Sequence, residues 1–123
     1  MAATPEETTK RVKEMVTDPA RIKRTDPGNP DICNVFTMHK IFSPQSDVDR
    51  INVECRRAGI GCVECKLLYA KNLNQNLEPF RAKRAELASK PDLLTDILND
   101  GANRARVIAQ KTMEEVRAAV QLP

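Results

Sequence analysis

The chain has 123 residues, 41% hydrophobic and 30% charged, a length and composition that fit one soluble domain with a modest core. A net charge of +3 is too mild to imply nucleic acid by itself, no apolar run approaches membrane-spanning length, and the start MAATPEETTKRVKEM lacks the apolar segment of a signal peptide, so the expectation is a cytoplasmic protein with reduced thiols rather than disulfides. Aromatics are only 3% (Phe36, Phe42, Phe80 and Tyr69), and a chain so rich in Ala, Leu, Lys, Arg and Glu leans helical, because those side chains lose little rotamer freedom in a helix.

Thr4-Pro5-Glu6-Glu7 predicts a helix start: Thr4 caps, Pro5 suits the first helical position, and Glu7 completes a capping box. The helix would present Val12, Met15 and Val16 and stop near Asp18-Pro19. Pro27, Gly28 and Pro30 make residues 20–31 an irregular segment, and Asn29-Pro30 starts a second helix to about Phe42, with Ile32, Val35, Phe36 and Phe42 as apolar positions. A third helix opens at Ser43-Pro44 or Ser46-Asp47; Val48, Ile51, Cys55 and Ala58 follow at spacings of three, four and three, which is one helix face. Gly59 and Gly61 would end it by adopting the left-handed conformation of a helix C-terminus.

A fourth helix is expected from about Cys62 to Ser89, with Tyr69, Leu73, Leu77, Phe80 and Leu87 on one side and a kink or break at Pro79, which lacks an N–H and crowds the preceding turn. The last runs from about Asp92 to Val120, with Leu94, Ile97, Leu98, Ala105, Ile108, Thr112 and Val116 along one side. Gly101 in its middle costs up to about 1 kcal/mol against alanine, which suggests close packing there. The fold class is all-α, a single domain over 1–123 built as a bundle of about five helices, the long C-terminal ones kinked or interrupted.

The four cysteines form the pattern Cys33-x21-Cys55-x6-Cys62-x2-Cys65. Any one of them alone reads best as a buried core thiol. As a group they read differently. A C-x2-C at a helix start puts two sulfurs on one side, the Gly59/Gly61 turn brings Cys55 back to them, and Cys33 is the remaining fourth ligand. Zinc sites more often pair two tight knuckles and include histidine, whereas a [4Fe–4S] cluster takes four cysteines at irregular spacing. Arg56, Arg57, Lys66 and Lys40 would offset the negative charge of such a cluster. Most of the other cations read as a solvated face balanced by 17 acids. Arg21, Lys23 and Arg24 in RIKRTDPG and the Arg56-Arg57 pair sit on turns with free backbone N–H groups, which suits phosphate contacts.

The order TDPARIKRTDPGNPDICNVF, GIGCVECK, NLEPFRAKRAEL and ILNDGANRARVIAQKTMEEVRAAV closely resembles the C-terminal helical region of bacterial tryptophanyl-tRNA synthetases, from about Pro5 to Leu122. The resemblance implies the anticodon-binding part of an enzyme that joins tryptophan to its tRNA using ATP. The His-Ile-Gly-His-like and Lys-Met-Ser-Lys-Ser-like catalytic signatures of that family do not occur in this chain, so the resemblance implies a fragment inactive alone, with ATP used only by the full-length enzyme. It implies as partners tryptophan-specific tRNA, at its anticodon end, and the enzyme's own catalytic domain. It also implies a monomeric fragment of a homodimeric enzyme.

A subset of the family carries a four-cysteine motif that holds a [4Fe–4S] cluster. The resemblance therefore implies Cys33, Cys55, Cys62 and Cys65 as ligands of a structural cluster, open to loss in aerobic preparation. It implies tRNA contacts at Arg56, Arg57 and Lys66, with Arg21, Lys23 and Arg24 on an interdomain or phosphate loop. Two other readings remain open: a stand-alone iron–sulfur redox or sensor protein, and a metal-free bundle with four core thiols.

Overall fold

The computed structural model describes residues 3–121, and among these there are helices, turns and loops but no strand. The helices are α1 (Pro5–Glu14), α2 (Asn34–Phe42), α3 (Gln45–Arg56), α4 (Cys62–Ala88) and α5 (Pro91–Ala119), with one turn of 3-10 helix, Pro30–Ile32, ahead of α2. The all-α class with five helices is as the sequence predicts. The chain groups into two compact units, one ending at Arg81 and one beginning at Ala82.

In the first unit the capping box forms as expected. Glu7 N–H donates to Thr4 Oγ1 at 3.2 Å, and Thr4 N–H donates to Glu7 Oε2 at 2.9 Å. Arg81 and Asn74 of α4 hold α1: Arg81 donates to Thr8 Oγ1 at 2.9 Å and to the Ala3 carbonyl at 3.1 Å, and Asn74 donates to Thr9 Oγ1 at 3.2 Å. The core lies under α2, α3 and the start of α4, where Val35, Phe36, Val48, Ile51, Ile60, Tyr69 and Ala70 are buried together with Val12 of α1. Each large side chain among them contributes about 1.5–3 kcal/mol by leaving water.

Several expectations are corrected. The second helix does not start at Pro30. Asn29 Oδ1 accepts from Asp31 N–H at 3.0 Å and caps only the 3-10 turn; Cys33 is extended, and α2 begins after it, which leaves Ile32 exposed. The left-handed residue after α3 is Ala58, at φ 58°, and no described glycine has positive φ. A Cβ at Gly59 would meet the Glu54 carboxylate, the free end of a flexible side chain that can turn aside. α4 continues past Pro79 as one helix, so the break does not occur; one missing N–H leaves the rest of the i→i−4 ladder intact. Phe80, placed on the apolar side of α4 by its spacing, is 60% exposed.

The second unit contains the end of α4 and all of α5. No residue of α5 is buried, and Leu94, Ile97, Leu98, Ile108 and Val116 form an exposed apolar stripe. The periodicity read from sequence is present, and among the described residues of this unit nothing covers the stripe. Gly101 is likewise not a packing point: a Cβ built on it meets nothing within 4 Å. No described helix is long and apolar enough to cross a membrane.

Candidate functional site

The four cysteines come from three places on the chain that the first unit brings together: the extended residue ahead of α2 (Cys33), the last turn of α3 (Cys55), and the first turn of α4 (Cys62 and Cys65). All four are free thiols; Cys33 and Cys65 are buried, and Cys55 and Cys62 are half-buried. They lie within one electrostatic neighbourhood. Burial pushes the Cys65 thiol up to about 12, and Cys33, Cys55 and Cys62 add to the rise while Arg21 opposes it. Burial also raises Cys55, again against Arg21 and with Cys33 and Cys62 adding to it. The thiols of Cys55 and Cys65 are therefore protonated at neutral pH, and binding a cation or cluster must displace those protons.

Loop 17–29 closes over the sulfurs and is itself pinned by Asp18. This buried carboxylate accepts from Ala20 N–H at 2.9 Å and from Asn29 N–H at 2.8 Å. Gly28 N–H donates to the Cys55 carbonyl at 2.9 Å, and a Cβ at Gly28 would stand 2.7 Å from Cys55 Sγ. Glycine is needed there for room. Arg21 reaches inward from the same loop. Its Nη2 donates to the carbonyls of Arg24 and Ile60 at 2.8 and 2.9 Å, and its Nη1 is directed at Cys62 Sγ, 3.7 Å away, and at Cys55 Sγ, 3.9 Å away. Its Nε is buried and has no hydrogen-bond partner among the described residues.

The other cations are placed differently from Arg21. Arg56 pairs with Asp31 at 2.8 Å and donates to Asn52 Oδ1 at 3.1 Å; Arg57 pairs with Glu54; Lys66 donates to the Lys13 carbonyl at 2.9 Å. Lys40 lies over the Phe36 ring, 5.0 Å from its centroid. The guanidinium that faces the sulfurs is thus Arg21, which sequence spacing puts on an outward loop. Lys23 and Arg24 are exposed and, with Ile22, Cys62, Val63 and Leu67, line a cleft of about 530 Å³ between loop 17–24 and the first turns of α4.

A group with no sequence-based assignment stands behind Cys65. His39 of α2 is fully buried, and burial lowers its pKa against the opposing effects of the Cys65 carbonyl and Asp47. Its ring meets Tyr69 edge-on, with centroids 5.3 Å apart. The signal that could have found it is its place three and four residues after Phe36 and Val35, on the buried face of α2.

The donor set can be tested against the metals it suggests. Among the described residues, no three His, Cys, Asp or Glu side chains gather as closely as a single metal ion requires. Four thiols in one neighbourhood, a guanidinium aimed at two sulfurs and an orphaned Nε beside them suit a larger anionic group with acceptors of its own.

This arrangement sits in a fold already seen in an aminoacyl-tRNA synthetase. The chain superposes with a TM-score of 0.83 and 28% identity on the crystal structure of tryptophanyl-tRNA synthetase from Campylobacter jejuni, over 98% of this chain and 38% of that one. In sequence it is 45% identical over 119 residues to the tryptophan–tRNA ligase of Aquifex aeolicus, covering 96% of this chain and 30% of the relative. It is 44% identical over 104 residues to that of Deinococcus radiodurans, covering 85% of this chain and 32% of the relative. The chain thus spans about a third of the length of the curated relatives it matches. No protein-family model matches it.

Proposed function

We propose that this chain is the C-terminal, anticodon-binding helical region of a tryptophanyl-tRNA synthetase, and that Cys33, Cys55, Cys62 and Cys65 hold a structural [4Fe–4S] cluster. The observation that carries the reading is the 45% identity to a tryptophan–tRNA ligase over 96% of the chain. Aminoacylation, with ATP and tryptophan, belongs to the remainder of such an enzyme. The exposed apolar stripe of α5 supports a partner of that kind, because an amphipathic helix in a protein draws most of its stability from packing its apolar side.

The tRNA-facing region is proposed to be loop 17–24 with the start of α4. Lys23 and Arg24 are exposed there beside the apolar cleft walls of Ile22, Val63 and Leu67, which suits phosphates at the rim and a base face within. Arg56, Arg57 and Lys66 stay as candidate contacts at the same end; each would have to exchange its present acceptor for a phosphate. A bound cluster supplies a covalent cross-link among the residue ahead of α2, the end of α3 and the start of α4. Around it, Arg21 offsets negative charge at Cys55 and Cys62, Gly28 closes the cover, and Asp18 holds the loop that carries both.

The test is anaerobic preparation of the chain, followed by iron and sulfide analysis and by filter binding of tryptophan-specific tRNA against an unrelated tRNA. About four irons per chain are expected. Preferential binding should weaken when Lys23 and Arg24 are both changed to Glu. An iron-free anaerobic product would sink the cluster assignment, and equal affinity for the two tRNAs would sink the anticodon assignment.

A further inference from the structure

Behind Cys65 the core contains a continuous polar chain where apolar packing would be the default. His39 Nε2 lies 3.1 Å from the Cys65 carbonyl oxygen and 3.5 Å from Cys65 Sγ, and His39 Nδ1 lies 2.7 Å from Ser43 Oγ. Asn72 Nδ2 donates to Ser43 Oγ at 2.9 Å and to Asp47 Oδ2 at 3.0 Å.

Each contact restricts the next. A carboxylate only accepts, so Asp47 fixes which end of the Asn72 amide faces it. That nitrogen fills one acceptor position of Ser43 and leaves the hydroxyl free to turn toward the ring. The Cys65 carbonyl also only accepts, so Nε2 carries a hydrogen whether the ring is neutral or charged. The sulfur of Cys65 is close enough to share that hydrogen.

We infer that His39 is a positioning residue for the sulfur site: its Nε2–H is shared between the carbonyl and the sulfur of Cys65, and Ser43, Asn72 and Asp47 hold the ring in that orientation. The inference rests on the cluster reading above. Arg21 Nη1 is aimed at Cys55 and Cys62, so His39 supplies for Cys65 what Arg21 supplies for those two. An N–H donated to a cluster-bound thiolate withdraws charge from it, which favours the reduced state and slows oxidative loss.

The experiment compares wild type with His39→Phe, His39→Gln and Ser43→Ala, all loaded anaerobically. Iron content, midpoint potential by redox titration, bleaching in air and thermal melting are measured. His39→Phe should move the midpoint to more negative values and bleach several-fold faster. His39→Gln, which restores an amide N–H, should return toward wild type, and Ser43→Ala, which frees the ring, should fall between. A purely structural histidine would lower the melting temperature of His39→Phe while leaving the potential of the loaded protein unchanged, and that result overturns the inference. Should His39→Phe fail to load, an unchanged potential in Ser43→Ala overturns it. A wild-type chain that takes up no iron removes the cluster reading itself, and this inference with it, before any variant is compared.

Discussion

Replacing Gly28 with alanine is the most direct perturbation of the cover over the sulfur site. Gly28 does not have positive φ, so the cost is one of space alone. The added methyl would stand 2.7 Å from Cys55 Sγ and 3.2 Å from Arg21 Cδ, well inside the 3.5–4.0 Å optimum for such contacts. Backing away is restricted, because Gly28 N–H is bonded at 2.9 Å to the carbonyl of the same cysteine. Either the sulfur and the arginine are displaced or that bond is lost. Overpacking of this kind costs about 1–3 kcal/mol, and a lost backbone bond about 1 kcal/mol. We expect a destabilisation of about 2 kcal/mol, read by thermal or urea unfolding followed by circular dichroism. Cys55 should also react faster with a maleimide, since the burial that raises its pKa is relaxed. A Gly28→Ala chain that unfolds at the wild-type midpoint, with Cys55 labelled at the wild-type rate, would refute the reasoning.

Gly101 should respond in the opposite sense. It lies inside α5 with nothing within 4 Å of a built Cβ and without positive φ, so Gly101→Ala should stabilise the chain by up to about 1 kcal/mol in urea unfolding, and a loss would mean that the position is packed. In the metal-free chain, Cys65 makes stability pH-dependent at the alkaline end. Its folded pKa of about 12 lies above the ordinary thiol value of 9.0, so between the two the folded chain keeps a proton that the unfolded chain has released. Stability should hold below about pH 9 and decline by on the order of 1 kcal/mol per pH unit above it. Melting curves should show that slope reduced in Cys65→Ala; an equal slope in both would refute the assignment.

What sequence could reveal depended on whether the deciding interaction was local. The Thr4–Glu7 capping box spans three residues and is legible from their identities. The same holds for Val35 and Phe36, and for Val48 and Ile51, whose spacing alone predicts burial. The 3-10 turn before α2 was not legible as such, because Asn29-Pro30 caps either kind of helix and nothing in the neighbouring letters marks Cys33 as the extended residue that separates the turn from α2. Gly59 and Gly61 suggested positive φ, yet neither has it and Ala58 takes the left-handed conformation instead; that choice is set by the fold rather than by neighbouring letters. Arg21 is the clearest case at the site. Among Lys23 and Arg24 it reads as one more loop cation, and only the 34-residue step in sequence to Cys55 separates its role from theirs.

The same geometry sets an order of events for loss of the sulfur site. The core residues Val35, Ile51 and Tyr69 are buried in one cluster with Cys33 and Cys65, and apolar contacts hold them. Loop 17–29 has less to hold it: the Asp18 bonds, the Gly28 bond to Cys55 and the reach of Arg21 to Ile60 and the sulfurs. Two of these three attachments end at Cys55 or its neighbours in the turn before α4. Displacing Cys55 therefore loosens the loop before it disturbs the helices. Loop 17–24 is also one wall of the cleft that carries Lys23 and Arg24. Damage at the sulfurs consequently reaches the proposed RNA-facing surface through about ten residues of loop, while the core still holds α2, α3 and α4 in place.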